Sequence, residues 1–172
     1  TILKNVTGSD DRKYQVPIGD DEFLNTLPVT NLSVPVDLDQ ASKTIALNPG
    51  EQFVSELRFT IKKSFVQKND LAVLALIAAN NWKRPIYFTS TQELEELGLD
   101  KYVRMEGLSY RLVPVENSNV QLDLSYKNIM SQFAYGNAQQ KGVFYDEENR
   151  RHLNSLRQAH AVAALSLAQT NR

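Results

Sequence analysis

The amino-acid sequence predicts an α/β fold: a small parallel βαβαβ core, with extended N-terminal β structure on one edge and C-terminal helices packed against it. Three observations point there. Strand-like and helix-like runs alternate with short connections between residues 53 and 115. Prolines and turn residues break up the apolar clusters before that stretch, and a long alanine-rich segment with helical spacing follows it. On this basis residues 1–50 form an extended β-rich part, 51–124 the core, and 125–172 the C-terminal helices.

From Tyr14 to Leu47 the chain shows short apolar clusters, with Pro28 and Pro35 in LPVTNLSVPVDL. Prolines so placed suit edge strands and extended loops, because they remove a backbone donor. Asn48-Pro49-Gly50-Glu51 signals a turn, and Phe53 to Ile61 alternates apolar and polar residues as a half-buried strand does. Asn69-Asp70 offers an N-cap for a helix over 70–80, on which Leu71, Leu74, Ala75 and Ala78 recur at helical spacing. Arg84 to Thr89 is aromatic and β-branched and reads as a strand. Thr91 to Leu97 reads as a short helix ended by Gly98, Leu99 to Met105 as a further turn, and Gly107 to Val115 as a strand. Strands joined through helices in this order imply right-handed parallel crossovers. Beyond Pro114 come a short strand at Val120 to Leu124, a helix over 125–133 and a polar connection over 135–145. Last is a helix from Asp146 to about Ala168, with three carboxylates at its favourable N-terminal end.

Composition narrows the function classes. The chain has 172 residues, 42% hydrophobic and 23% charged, so it folds as a globular unit. Its 19 basic and 20 acidic residues leave a net charge of −1, which provides no field for nucleic acid or an anionic membrane surface. It has no cysteine, which removes disulfides, thiolate metal sites and cysteine nucleophiles. The N-terminal residues lack the apolar core of a secretory signal, and the longest apolar run, Leu71 to Ala79, is far short of the roughly 20 residues of a membrane span. Both ends read as boundaries inside a longer protein.

No phosphate-binding loop, dinucleotide fingerprint, nucleophile elbow or HExxH pair is present, so no catalytic residue is assigned. His152 lies four residues after Glu148, but two ligands without a third do not make a metal site, and His160 is expected at the surface or in a cap. The carboxylates at Glu95-Glu96 and Asp146 read as solvated helix ends; they are not the facing pair that glycoside hydrolysis needs. The segment NNWKRPIYF carries more weight. Trp82 could stack on a sugar and Arg84 could clamp an anion, with Tyr87 beside them; the competing reading buries Trp82 against the sheet and ties Arg84 to carbonyls or to Glu106. GLSYRLVPV poses the same choice for Tyr110 and Arg111, and an Arg111 in a central strand must be paired.

Four segments taken in order carry a resemblance: KNDLAVLALIAANNWKRPIYF, LGLDKYVRMEGLSYRLVP, YKNIMSQFAYGN and YDEENRRHLNSLRQ. Together they resemble the soluble C-terminal region of a family of large bacterial multi-pass membrane proteins of unknown function, likened to protein O-mannosyltransferases with the type C glycosyltransferase architecture. The resemblance covers about Phe53 to Arg172. It implies a periplasmic accessory domain of the cell envelope, without a cofactor, behind a membrane part that carries any transferase chemistry and ahead of helical repeats. Such a domain contacts the acceptor polypeptide, a glycan or the membrane part itself. An independent carbohydrate-active enzyme and a pure scaffold are the alternatives. Relatives tend to carry aspartate in the helix before NNWKRP, where this chain has Ala75. The last helix, with small residues at Ala161 and Ala164, is expected to leave its far end around Val162 to Leu167 exposed, frayed, or covered by the downstream repeats or a second copy.

Overall fold

The computed structural model describes residues 12–25, 30–63 and 65–169; Pro28, the N-terminal residues 1–11 and the last three residues lie outside them. After a 3-10 turn at Arg12–Tyr14, strands β1 (Gln15–Pro17) and β2 (Phe23–Asn25) pair as an antiparallel hairpin. Strand β3 (Asn31–Pro35) pairs antiparallel with β4 (Glu56–Thr60), setting Leu32 opposite Phe59 and Val34 opposite Leu57. Alternation turns these four side chains into the core and the others toward solvent.

Helix α1 (Leu38–Thr44) sits between the two strands, where the sequence reading has only extended chain. The Asp37 carboxylate caps it by accepting from the Gln40 N–H at 3.1 Å. Helix α2 (Lys68–Asn80) starts two residues earlier than its apolar spacing indicates. Its cap is Gln67, whose N–H donates to the Asp70 carboxylate at 2.9 Å. Asp70 is buried and also accepts from Lys63 Nζ at 3.0 Å; Lys63 reaches Glu96 at 2.9 Å as well, so one ammonium joins the start of α2 to the end of the next helix. Those two carboxylates, Glu96 first and then Asp70, push the Lys63 ammonium above its ordinary value.

Strand β5 (Tyr87–Phe88) and helix α3 (Gln92–Glu96) follow. Gly98 then ends the helix at φ 73°. A side chain there would place Cβ 2.2 Å from the Thr60 carbonyl oxygen, so both conformation and space require glycine. A 3-10 turn at Asp100–Tyr102 leads into β6 (Val103–Glu106) and β7 (Ser109–Leu112).

The parallel βαβαβ core is not formed. β6 occupies residues that read as a turn, and Gly107-Leu108, with Gly107 at φ 78°, makes a two-residue hairpin of the type that takes glycine first. β7 therefore folds straight back on β6, and β5 joins the far side of β7, all antiparallel, in the order β5-β7-β6. β4 takes β3 as its partner instead of joining that sheet. The fold is a mixture of helices and small antiparallel sheets. Among the described residues the one parallel contact is a bridge between Met105 and Val120, and the strand expected over 120–124 goes no further, because helix α4 (Leu122–Ser131) begins there with Gln121 as its cap.

The main core gathers Leu57, Leu74, Leu94, Leu97, Leu99, Tyr102 and Val113, with Trp82 beside them. A smaller cluster of Met105, Val120, Leu122 and Ala159 seats helix α5 (Glu147–Gln169). Ala159 and Ala163 are buried under α5, and Leu153, Leu156, His160 and Leu167 are half-buried on that side. Ala161, Ala164 and Leu165 face out. Among the described residues no helix is long and apolar enough to cross a membrane.

Candidate functional site

The rung across the three-stranded sheet brings Tyr87, Arg111 and Arg104 side by side, since Tyr87 is opposite Arg111 and Arg111 opposite Arg104. Two guanidiniums in adjacent strands need anions, and β6 supplies one two residues along. Glu106 accepts from Arg104 Nη2 at 2.8 Å and from the Tyr87 hydroxyl at 2.8 Å, and lies 3.5 Å from Arg111 Nη1. Arg104 and Glu106 are almost wholly buried, with side-chain exposures of 1% and 2%.

The loop after α1 closes over this face. Arg111 Nη2 donates to the Thr44 carbonyl at 2.7 Å, where the last helical carbonyls favour a cation. Arg104 Nη1 donates to the Ala46 carbonyl at 2.9 Å and lies 3.5 Å from Glu51. Glu51 in turn accepts from Ser118 at 2.5 Å and from the backbone and side chain of Asn48, both at 2.7 Å. Burial pushes the Glu51 carboxyl up; Ser118, Asn48 and the Arg104 charge outweigh that and hold it below its ordinary value. Burial and the bond to Glu106 push the Tyr87 hydroxyl up. The two arginines and two glutamates balance in charge, and only Arg104 Nε and Arg111 Nε are buried without a partner among the described residues.

The residues singled out in the sequence fall into three places. Tyr87 and Arg111 belong to the network, and Arg111 Cζ stands 5.8 Å from the Tyr87 ring centroid. Trp82 is buried in the main core, at φ 60° immediately after Asn81 at φ 45°, an uncommon pair of left-handed residues that ends α2 without glycine. Arg84 is exposed and does not reach Glu106; its backbone N–H and carbonyl are both held by the Asn80 side chain. Tyr110 lies on the opposite face of β7, half-buried against the cluster under α5. Arg104, Glu51, Asn48 and Ser118 were not anticipated. The signal for Arg104 was the alternation of Val103-Arg104-Met105-Glu106, which is a strand pattern with charges on one face.

A second feature is an open groove of about 790 Å³ between α5 and the 135–145 connection, lined by Tyr135, Gln140, Tyr145, Leu153, Arg157 and His160. His160 Nδ1 is 2.7 Å from the Leu156 carbonyl, which only accepts, so that nitrogen carries the proton. The Tyr135 hydroxyl donates to the Ile129 carbonyl at 3.0 Å and lies 3.1 Å from His160 Nε2. His152 points elsewhere, to Glu148 at 3.6 Å, and both are exposed. Among the described residues no three metal-ligating side chains come together.

The family model for TMEM260-associated domain 2 matches residues 1–132, which include the whole network and end before the groove. No curated protein and no solved structure matches the chain.

Proposed function

Because this chain belongs to the TMEM260-associated domain 2 family, we propose that it is a non-catalytic accessory domain of a membrane glycosyltransferase-like protein. The domain stands on the periplasmic side of the inner membrane and contacts the acceptor polypeptide, a glycan or the protein's own membrane part. The family name ties the domain to TMEM260, and the resemblance in Phe53 to Arg172 supplies the rest of the reading.

The observation that carries it is the state of the network's two glutamates, Glu106 buried and Glu51 half-buried. A glycosidase needs one carboxyl free to give a proton and another free to attack or to activate water. Here Glu51 is an anion held by Ser118 and Asn48, and Glu106 is held by Arg104 and Tyr87, so both serve to fasten the 44–51 loop to the sheet. The network lies within the residues that the family model matches, and it leaves the outer surface of the domain for contacts.

The test is direct. The purified chain, incubated with a lipid-linked sugar or a nucleotide sugar, is expected to give no turnover, and the full-length protein is expected to carry several membrane spans ahead of residue 1. Turnover by the purified chain that Glu51→Gln abolishes, in a variant that still folds, would overturn the reading in favour of an independent carbohydrate-active enzyme.

A further inference from the structure

The two outer edges of the β3–β4 sheet differ. The Val36 N–H donates to the Ser55 carbonyl and the Ile61 N–H to the Thr30 carbonyl, which fixes the phase of the ladder. Residues 30, 32, 34 and 36 bond inward to β4, while Asn31, Ser33 and Pro35 turn their backbone groups outward. On the β4 side the outward groups are covered. The Arg58 N–H donates to the Tyr102 hydroxyl at 2.9 Å, that hydroxyl lies 3.1 Å from the Arg58 carbonyl, Gly98 closes over Thr60, and the Lys62 N–H donates to the Glu96 carbonyl at 2.9 Å. On the β3 side no partner is found among the described residues for the N–H or carbonyl of Asn31 or Ser33, or for the Pro35 carbonyl, and all three side chains are exposed.

We propose that the outer edge of β3 binds an extended stretch of another polypeptide as an added strand. The proposal rests on the accessory-domain reading for its setting and narrows the partner to a polypeptide. Donors and acceptors that recur every second residue, about 7 Å apart, complement an extended backbone and have no counterpart in the hydroxyls of a glycan. A second copy of this chain fits less well. Pairing β3 with itself about Ser33 sets Asn31 opposite the partner's Pro35, which has no N–H, at both ends of the strand. A foreign strand meets that proline only once and so forms one more hydrogen bond. The exposed neighbours Asn31, Ser33, Arg58 and Thr60 are polar, so the edge selects for extended backbone more than for particular side chains.

Ser33→Pro tests this cleanly, because the Ser33 N–H takes no part in the β3–β4 ladder and Pro35 already occupies the equivalent place two residues on. Amide hydrogen exchange is followed in the chain alone, with reduced carboxymethylated α-lactalbumin as an unfolded probe, with native α-lactalbumin, and with maltoheptaose. With the unfolded probe at about ten times its Kd, exchange at Asn31 and Ser33 is expected to slow about tenfold, and neither of the other two additions should slow it. Ser33→Pro, or Asn31→Pro should the first not fold, is expected to abolish binding while Leu32 and Val34 stay protected. If the unfolded probe binds the proline variant as tightly as the unchanged chain, the β3 edge is the wrong site although the accessory reading stands. If only maltoheptaose binds, the polypeptide partner is wrong. Protection of Ser33 that grows with the concentration of the chain alone would make the occupant a second copy and overturn the proposal.

Discussion

Replacing Glu106 by glutamine should be among the most damaging single changes in this protein, and the structure says by how much. Glu106 neutralises Arg104 at 2.8 Å, stands 3.5 Å from Arg111 and accepts from Tyr87 at 2.8 Å, with 2% of its side chain exposed. An amide keeps the size and one acceptor oxygen, but it loses the charge and turns an NH2 toward a donor. Arg104 and Arg111 are opposite each other across β6 and β7; Arg104 then keeps only Glu51 at 3.5 Å as a carboxylate partner, and Arg111 keeps none among the described residues. Removing one partner of a buried ion pair costs about 3–5 kcal/mol. We expect about 4 kcal/mol, near the middle, since Thr44 and Ala46 still accept from the arginines. For a chain of this length that is a fall in Tm of about 8–16 °C. Urea denaturation of both proteins at pH 7 measures it, with equal slopes as the condition for comparing midpoints. The double variant Arg104→Met with Glu106→Leu removes both charges of the closest pair and is expected to recover the part of the loss due to Arg104, while Arg111 and Tyr87 still lack Glu106. A Glu106→Gln protein within about 1 kcal/mol of the unchanged chain would refute the claim that the network fastens the fold.

Other perturbations follow from the same geometry. Gly98→Ala is expected to destabilise by at least about 2 kcal/mol, since Cβ would meet the Thr60 carbonyl at 2.2 Å with φ at 73°; thermal melting that does not move would contradict the close approach. Trp82→Ala should cost about 3–5 kcal/mol by emptying a large core site, and a variant that melts unchanged yet loses a glycan ligand would make the indole a binding platform instead. The Glu51 carboxyl is held below its ordinary value of 4.5, so its contribution is present above that value and is lost as pH falls through the folded one. The stability gap between the unchanged chain and Glu51→Gln, measured by urea midpoints, should therefore close as pH drops from 6 toward 3, and a gap independent of pH would refute the assignment.

Local signals carried much of this fold. The apolar spacing of α2, the glycine that ends α3, the alternation of β4 and the inward stripe of α5 each depend on neighbours in sequence, and each was readable there. The pairing of strands was not. Nothing local to residues 56–60 distinguishes β3 from β5 as a partner; that choice depends on whether α1 forms between them, and α1 is two turns long with its main signal in one capping aspartate. β6 was lost for a related reason. Two of its four residues are charged, which reads as solvent-facing until Glu51 is known to lie across from Arg104, 53 residues away in sequence. The candidate site shows the same divide. Tyr87 and Arg111 were visible as chemistry, whereas their meeting with Arg104 depends on the register of two antiparallel pairs. Arg84 had the same chemistry and a better helix-end position, yet it lies outside the network because the Asn80 side chain holds its backbone in the turn before β5.

The run from Tyr102 to Glu106 explains why, among the described residues, one edge of the β3–β4 sheet is closed and the other open. Every second residue of that run makes a long-range polar link: Tyr102 to the outer backbone of β4, Arg104 to the Ala46 carbonyl and Glu51, Glu106 to Tyr87 and Arg111. A strand has two faces, and the intervening residues Val103 and Met105 are taken by the two apolar clusters. All of its links therefore leave from one side, and they fasten β4, the 44–51 loop and β5 in sequence order. β3 lies beyond β4, out of reach of this run, and among the described residues is held through its inner ladder, the hydrogen bond from the Thr60 hydroxyl to the Asn31 side chain and the burial of Leu32 and Val34. Among the described residues nothing covers its outer edge, because this run and the elements it fastens are committed on the other side of β4.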